Sequence, residues 1–134
     1  MTRLYLDING TLVRHGEPAD GVVPFLASVT EQFDCYWLSS ICQGDADDAV
    51  SYLARIFPPE ALPSLRRVKP TAWGRLKTDA IDFDGDFYWL DDHLSVGERE
   101  MLERHGALDR HIRIDHVANP GQLEEVRKFL LLMV

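Results

Sequence analysis

Four short apolar runs set the terms for this chain: Leu4-Tyr5-Leu6, Cys35-Tyr36-Trp37-Leu38, Phe87-Tyr88-Trp89-Leu90 and Ile112-Arg113-Ile114. The first three are continuous. A strand with one wet face alternates apolar and polar residues, so a continuous run belongs to a sheet covered on both faces. A fifth, weaker run spans Leu65–Val68. Helical stripes lie between the runs. Val22, Phe25, Leu26, Val29 and Phe33 follow a 3.6-residue period, with Asp20 as the expected N-cap and Pro24 in the first turn. Ala46, Ala49, Val50, Leu53, Ile56 and Phe57 form a second stripe, opened by Asp45 and stopped by Pro58-Pro59. Trp73, Leu76, Ala80 and Ile81 suggest a third. Ser95-Val96-Gly97-Glu98 reads as a capping box, with Gly106 ending that helix. Asn119-Pro120-Gly121-Gln122 reads as another, with Pro at the first helical position, ahead of Leu123, Val126, Leu130 and Met133. Strands alternating with helices predict an α/β, three-layer Rossmann-like domain with a central parallel sheet of about five strands.

At 134 residues the chain is expected to form a single domain over residues 1–134, large enough for a core without disulfide or metal staples. Its 46% hydrophobic and 27% charged residues exclude a disordered or collagen-like chain. The net charge of −8 comes from 14 Asp and 8 Glu against 11 Arg and only 3 Lys. That balance opposes tight non-specific binding to a phosphate backbone. The longest apolar run, Phe129–Val134, is too short to cross a membrane. No signal peptide precedes the first strand-like run, and Cys35 and Cys42 lack metal-site spacing, so reduced thiols and a cytoplasmic protein are expected.

In parallel sheets ligands bind beyond the carboxyl ends of the strands. Asp7 follows the first run, Ser39 and Ser40 the second, Asp91 and Asp92 the third, and Asp115 the fourth. Asp7, Asp91 and Asp92 would repel one another unless a cation lay among them. Hard carboxylate oxygens suit Mg²⁺, which keeps waters and bridges to phosphate. A phosphate there also needs a positive side chain. Of the three lysines, Lys128 lies on the last helical stripe, facing solvent, and Lys69 precedes Pro70 in irregular chain. Lys77 sits at the edge of the third stripe, where it either snorkels to solvent or turns its ammonium inward to an anion.

The segment Leu4-Tyr5-Leu6-Asp7-Ile8-Asn9-Gly10-Thr11-Leu12-Val13 resembles the haloacid dehalogenase (HAD) superfamily signature, an apolar strand followed by D-x-D-G-T-L/V. Ser39 after the second run, Lys77 as a helix-borne lysine, and Asp91-Asp92 after the third follow the family's motif order. A receiver domain, by contrast, has its acidic pair early and its lysine late. Within the superfamily the chain is similar to small capless members, the HAD domains attached to some RNA-repair proteins.

The resemblance implies a HAD-like fold and the following roles. Asp7 would be the nucleophile, forming an aspartyl-phosphate. Asp7, the main-chain carbonyl of Asn9, Asp91 and Asp92 would hold Mg²⁺. Gly10, Thr11 and Ser39 would bind the phosphorylated substrate, with Gly10 permitting the tight turn and Ser39 bonding a phosphate oxygen. Lys77 would neutralise both nucleophile and phosphoryl group.

Position 9 departs from the pattern. HAD phosphatases carry Asp there as general acid and base; Asn9 cannot exchange a proton near neutral pH. Two readings follow. One is a slow Mg²⁺-dependent phosphatase or phosphotransferase. The alternative is a catalytically impaired module that binds a phosphorylated ligand or a protein partner. The Asn9-Gly10 pair is also deamidation-prone, although a tightly folded turn is expected to suppress that. Neither Val13–Asp34 nor the stretch from Lys77 to Phe87 has room for a cap domain, so an open site is expected. An open site admits large substrates. A nucleic-acid end fits the resemblance, and the charge of −8 weighs against it. His15 and His93 fall near the site in sequence and read as surface histidines, and Cys42 as a buried structural thiol. Asp79, Asp82, Asp84 and Asp86 read as a solvated turn, since a calcium loop would need a closing Glu.

Overall fold

The computed structural model describes residues 1–134. Strand β1 (Arg3–Leu6) runs into a two-strand hairpin of β2 (Val13–Arg14) and β3 (Glu17–Pro18). Helix α1 (Val22–Gln32), strand β4 (Asp34–Trp37) and helices α2 (Ala46–Ala54) and α3 (Leu62–Arg67) follow. Strand β5 (Phe87–Asp91), helix α4 (Val96–Arg104), strand β6 (His111–Arg113) and helix α5 (Gln122–Leu132) complete the chain. The central sheet has the order β4-β1-β5-β6, and every pairing in it is parallel.

The continuous apolar runs are explained by cover on both faces. Leu4, Leu6, Cys35, Trp37, Tyr88 and Leu90 point to one side, where they pack with Phe25, Leu53, Leu65, Leu123 and Leu130 from the helices. Tyr5, Phe87 and Trp89 point to the other, against Leu102 of α4, Ile81 and Ala107. The alternation of side chains along each strand therefore feeds two cores rather than a core and solvent. No helix is long and apolar enough to cross a membrane.

Several sequence expectations need correction. The sheet has four strands, not five. Leu65 faces the core from α3, and only Lys69 forms a single parallel bridge beside Tyr36. The next bond of that ladder would run from Thr71 N–H to Trp37 O, but the Thr71 hydroxyl donates to that carbonyl instead, and the pairing stops there. The third helix is one 3-10 turn, Lys77–Ala80. The Asp79 carboxylate accepts from the Arg75 and Leu76 amides at 3.1 Å each, capturing donors that a longer helix would need. At α1 the N-cap is Gly21 (φ 73°), not Asp20, without side-chain capping.

The last helix starts at Gln122, so Pro120 lies outside it and there is no capping box. The Gln122 amide instead accepts from Asp115 N and donates to Arg113 O, both at 2.7 Å, tying the helix start to the end of β6. The expected caps at Asp45 and Ser95 are present: Asp45 accepts from Asp47 N, and Ser95 and Glu98 cap reciprocally. The spans that could have carried a cap domain are taken up by the β2–β3 hairpin and α1, and by the Lys77–Ala80 turn with the bend before β5.

Candidate functional site

The chain leaves β1 toward β4 on one side, and leaves β5 toward β6 on the other. A crevice therefore opens between the carboxyl ends of the adjacent strands β1 and β5, the position where open α/β sheets bind ligands. Asp7 lies just beyond β1, Asp91 ends β5, and Asp92 follows. One carboxylate oxygen from each of the three lies within 4.8 Å of the others, a cluster that can hold a metal ion. Asp7 and Asp91 are buried.

Lys77 reaches between them. Its Nζ donates to Asp7 Oδ1 at 3.0 Å and to Asp91 Oδ2 at 2.6 Å. Of the two fates open to Lys77 in the sequence, the inward one is realised. Its main-chain N–H donates to Glu98 Oε2 at 3.0 Å, while Glu98 Oε1 accepts from Ser95 N at 3.0 Å. The α4 capping box thus also fixes where the lysine side chain begins.

Two further bonds orient the acids. Thr11 Oγ1 donates to Asp7 Oδ2 at 3.2 Å, and His93 N donates to Asp91 Oδ1 at 3.0 Å. Thr11 is fully buried and spends its hydroxyl on Asp7. The Thr11 hydroxyl, expected from the resemblance to meet substrate, thus orients Asp7 in this structure.

Three carboxylates against one ammonium leave the site short of positive charge. Burial pushes the Asp91 carboxyl up to about 7, with the adjacent Asp7 charge acting the same way and Lys77 opposing. Burial likewise raises Asp7 against the pull of Lys77. Burial alone would lower Lys77, but the Asp7 and Asp91 charges outweigh it and hold the ammonium above its ordinary value. A divalent cation would reverse the carboxylate shifts, because it favours the ionised acids.

The loop after β1 completes this end of the cleft. Gly10 has φ +83°, and a Cβ there would run into the Asp92 carboxylate. Its N–H donates to Val13 O at 2.8 Å, and the Asn9 carbonyl receives no main-chain hydrogen bond. The exposed Asn9 side chain accepts from the Tyr52 hydroxyl at 2.9 Å. Beyond β4, the Ser39 Oγ accepts from Ile41 N at 3.2 Å, leaving its own proton free to donate. Asp7, Asn9, Ser39, Lys77, Asp91 and Asp92 border an open cleft of about 440 Å³, which Gly10 does not line.

Other candidates fall elsewhere. Asp115 does not join the acidic cluster; its Oδ1 accepts from the Val117 and Ala118 amides. Cys42 is buried, donates toward Asp45 O at 3.5 Å, and burial raises its thiol pKa. Lys69 pairs with Asp34 at 2.8 Å on the far edge of the sheet. Sequence reasoning overlooked Arg75, an exposed cation on the cleft wall, and Tyr52. Nothing in the local pattern marks either one, since both reach the site through tertiary packing.

Comparison of the chain with family models, with known proteins and with solved structures gave no match.

Proposed function

We propose that this cleft carries out Mg²⁺-dependent phosphoryl transfer of the HAD type, with Asp7 as nucleophile. The observation that carries the reading is Lys77 bonded at once to Asp7 and Asp91, with Asp92 within 4.8 Å, at the switch point of a parallel sheet. The match of motif order to the HAD signature supports it. Asp7, Asp91, Asp92 and the Asn9 carbonyl fit a hard divalent cation by donor type and by their excess negative charge. Bound there, Mg²⁺ would neutralise charge on the phosphoryl oxygens.

An Asp7 carboxylate oxygen attacks phosphorus, and the bond from phosphorus to the ester oxygen breaks. The leaving oxygen departs with the bonding pair, and the product is an aspartyl-phosphate. Lys77 offsets the charge on Asp7 and the moving phosphoryl group, while the Ser39 hydroxyl donates to a phosphoryl oxygen. Water then attacks phosphorus, the bond to Asp7 breaks with its electron pair returning to the carboxylate, and inorganic phosphate leaves, the water proton passing to a phosphate oxygen or to solvent. Asn9 neither protonates the leaving oxygen nor takes the proton of water. The lost general acid–base costs about 10²–10⁴-fold, so substrates with acidic leaving groups are favoured.

The same Asn9 favours the second reading, a module that holds a phosphorylated ligand without turnover. Hydrolysis of an aryl phosphate separates the two. Mg²⁺-dependent phosphate release that disappears in Asp7→Asn supports the enzyme. Absent turnover, with a phosphate mimic still bound, supports the module. Failure to bind either Mg²⁺ or the mimic overturns both.

A further inference from the structure

On the other side of Asp92 lies a second cleft, of about 360 Å³, with Asp92 in its wall as in the first. Gly10, Arg14, His15, Arg113 and His116 line it. In an acidic chain, two arginines in one cleft beside the proposed phosphate site are unexpected.

The two arginines are uncommitted. Six of the eleven arginines, Arg14, Arg55, Arg66, Arg75, Arg104 and Arg113, have no carboxylate partner, and of these Arg14 and Arg113 line this cleft. Arg113 donates only through Nε, to the Asp92 main-chain oxygen at 3.4 Å, which leaves its terminal N–H groups free. Arg14 lies opposite Glu17 in the hairpin register without forming an ion pair. Two acids share the cleft wall: Asp92, which belongs to the acidic cluster, and Asp115, whose Oδ1 accepts from two main-chain amides and which forms no ion pair with either arginine.

The hairpin that presents Arg14 is held in an unusual shape. His15 is the only non-glycine residue with positive φ (51°), and Gly16 follows at 75°. Positive φ at both central residues matches the two-residue turn that suits strand twist, a turn normally built from Asn-Gly or Gly-Gly. Histidine in that position places an imidazole at the mouth of the cleft at some backbone cost. His116 is buried, and its Nε2 lies 2.7 Å from Thr11 O. A carbonyl only accepts, so Nε2 carries the proton of that bond.

We propose that this second cleft binds a second phosphate on the substrate, on the leaving-group side of the transferring phosphoryl group. This rests on the phosphoryl-transfer reading of the first cleft. Two forked guanidiniums suit phosphate oxygens, which they can engage bidentately. The net charge of −8 opposes a polyanion, so the substrate class is a small bisphosphorylated molecule rather than a nucleic-acid end.

Inorganic phosphate, titrated into isotope-labelled protein, tests the cleft independently of catalysis. The His15 and His116 imidazole signals should shift on titration, and an Arg14→Ala/Arg113→Ala double variant should abolish those shifts. Phosphate that leaves both imidazoles unmoved overturns the proposal, even if the first cleft proves active. A series of α,ω-alkanediol bisphosphates and matched monophosphates then tests the link. At the best chain length kcat/KM should favour the bisphosphate by about tenfold or more, and the double variant should bring that ratio close to one. A ratio near one in the unmodified protein, or a phosphorylated oligonucleotide turned over faster than every bisphosphate, overturns the assignment. If no phosphoester is turned over, the catalytic reading fails, and the imidazole titration still decides whether the anion site exists.

Discussion

The Tyr52 hydroxyl donates a 2.9 Å hydrogen bond to Asn9 Oδ1, joining α2 to the loop after β1 across 43 residues. An aspartate carboxylate would accept the same bond. Position 9 is therefore shaped for either side chain, and only proton chemistry separates them. Asn9→Asp should raise Mg²⁺-dependent alkyl phosphate hydrolysis by about 10²–10⁴-fold, roughly 3–5 kcal/mol of barrier, and aryl phosphate hydrolysis by less, and Tyr52→Phe should erode that gain. An Asn9→Asp protein no faster than its parent would remove the general acid–base argument.

Asp7 and Asp91 both have raised folded-state pKa values, Asp91 near 7. Between the ordinary carboxylate pKa and 7, the folded state holds more protons than the unfolded state, so stability falls as pH rises. Urea unfolding of the metal-free protein should show stability dropping from pH 5 to pH 8. Each extra proton held by the folded state steepens that fall by about 1.4 kcal/mol per pH unit. Saturating Mg²⁺ should flatten the slope, since it favours the ionised acids. Asp91→Asn should flatten it without metal. A metal-free curve that rises over this range would contradict the charge balance drawn for the site.

Lys77→Met should expose the same imbalance. Without the ammonium, Asp7 and Asp91 face each other with no counter-charge, and unpairing a buried charge costs about 3–5 kcal/mol. Protonation of Asp91 lessens that cost as pH falls. The variant should be destabilised strongly at pH 8 and much less at pH 5, as read by denaturant midpoints. Equal loss at both values would mean that Lys77 contributes packing rather than charge.

Gly10→Ala places a methyl group against the Asp92 carboxylate at φ +83°. The left-handed backbone alone costs on the order of 1–3 kcal/mol. Displacing Asp92 should weaken metal binding as well. Calorimetric Mg²⁺ titration should show lower affinity in Gly10→Ala, while Gly85→Ala, which has open space around it, serves as the folded control. Unchanged affinity would separate Asp92 from the cation site.

The Gly10 N–H, the atom that would attack the Asn9 amide in deamidation, donates to Val13 O at 2.8 Å. Asn9 should therefore persist on ageing of the folded protein and convert only once it is unfolded. Peptide mapping of aged native and urea-treated samples checks this; equal conversion in both would show that the turn offers no protection.

The chain's local patterns determined its α/β class and the residues that end its strands. Continuous runs such as Phe87–Leu90 mark buried strands, and the caps at Asp45 and Ser95 depend on neighbours only a few residues away. Elsewhere the apolar spacing was overruled by structure within a few residues. Lys77 looked helical by spacing, yet Asp79 captures the amides that such a helix needs. The Leu65–Val68 run forms no fifth strand, because Leu65 lies in α3 and only Lys69 bridges to Tyr36. Only the tertiary structure decided that Lys77 turns inward to two carboxylates, that Tyr52 holds Asn9 and that Arg14 and Arg113 line one cleft. Those relations join residues far apart in the chain, and their geometry follows from strand order and helix packing, which no single stretch of sequence encodes.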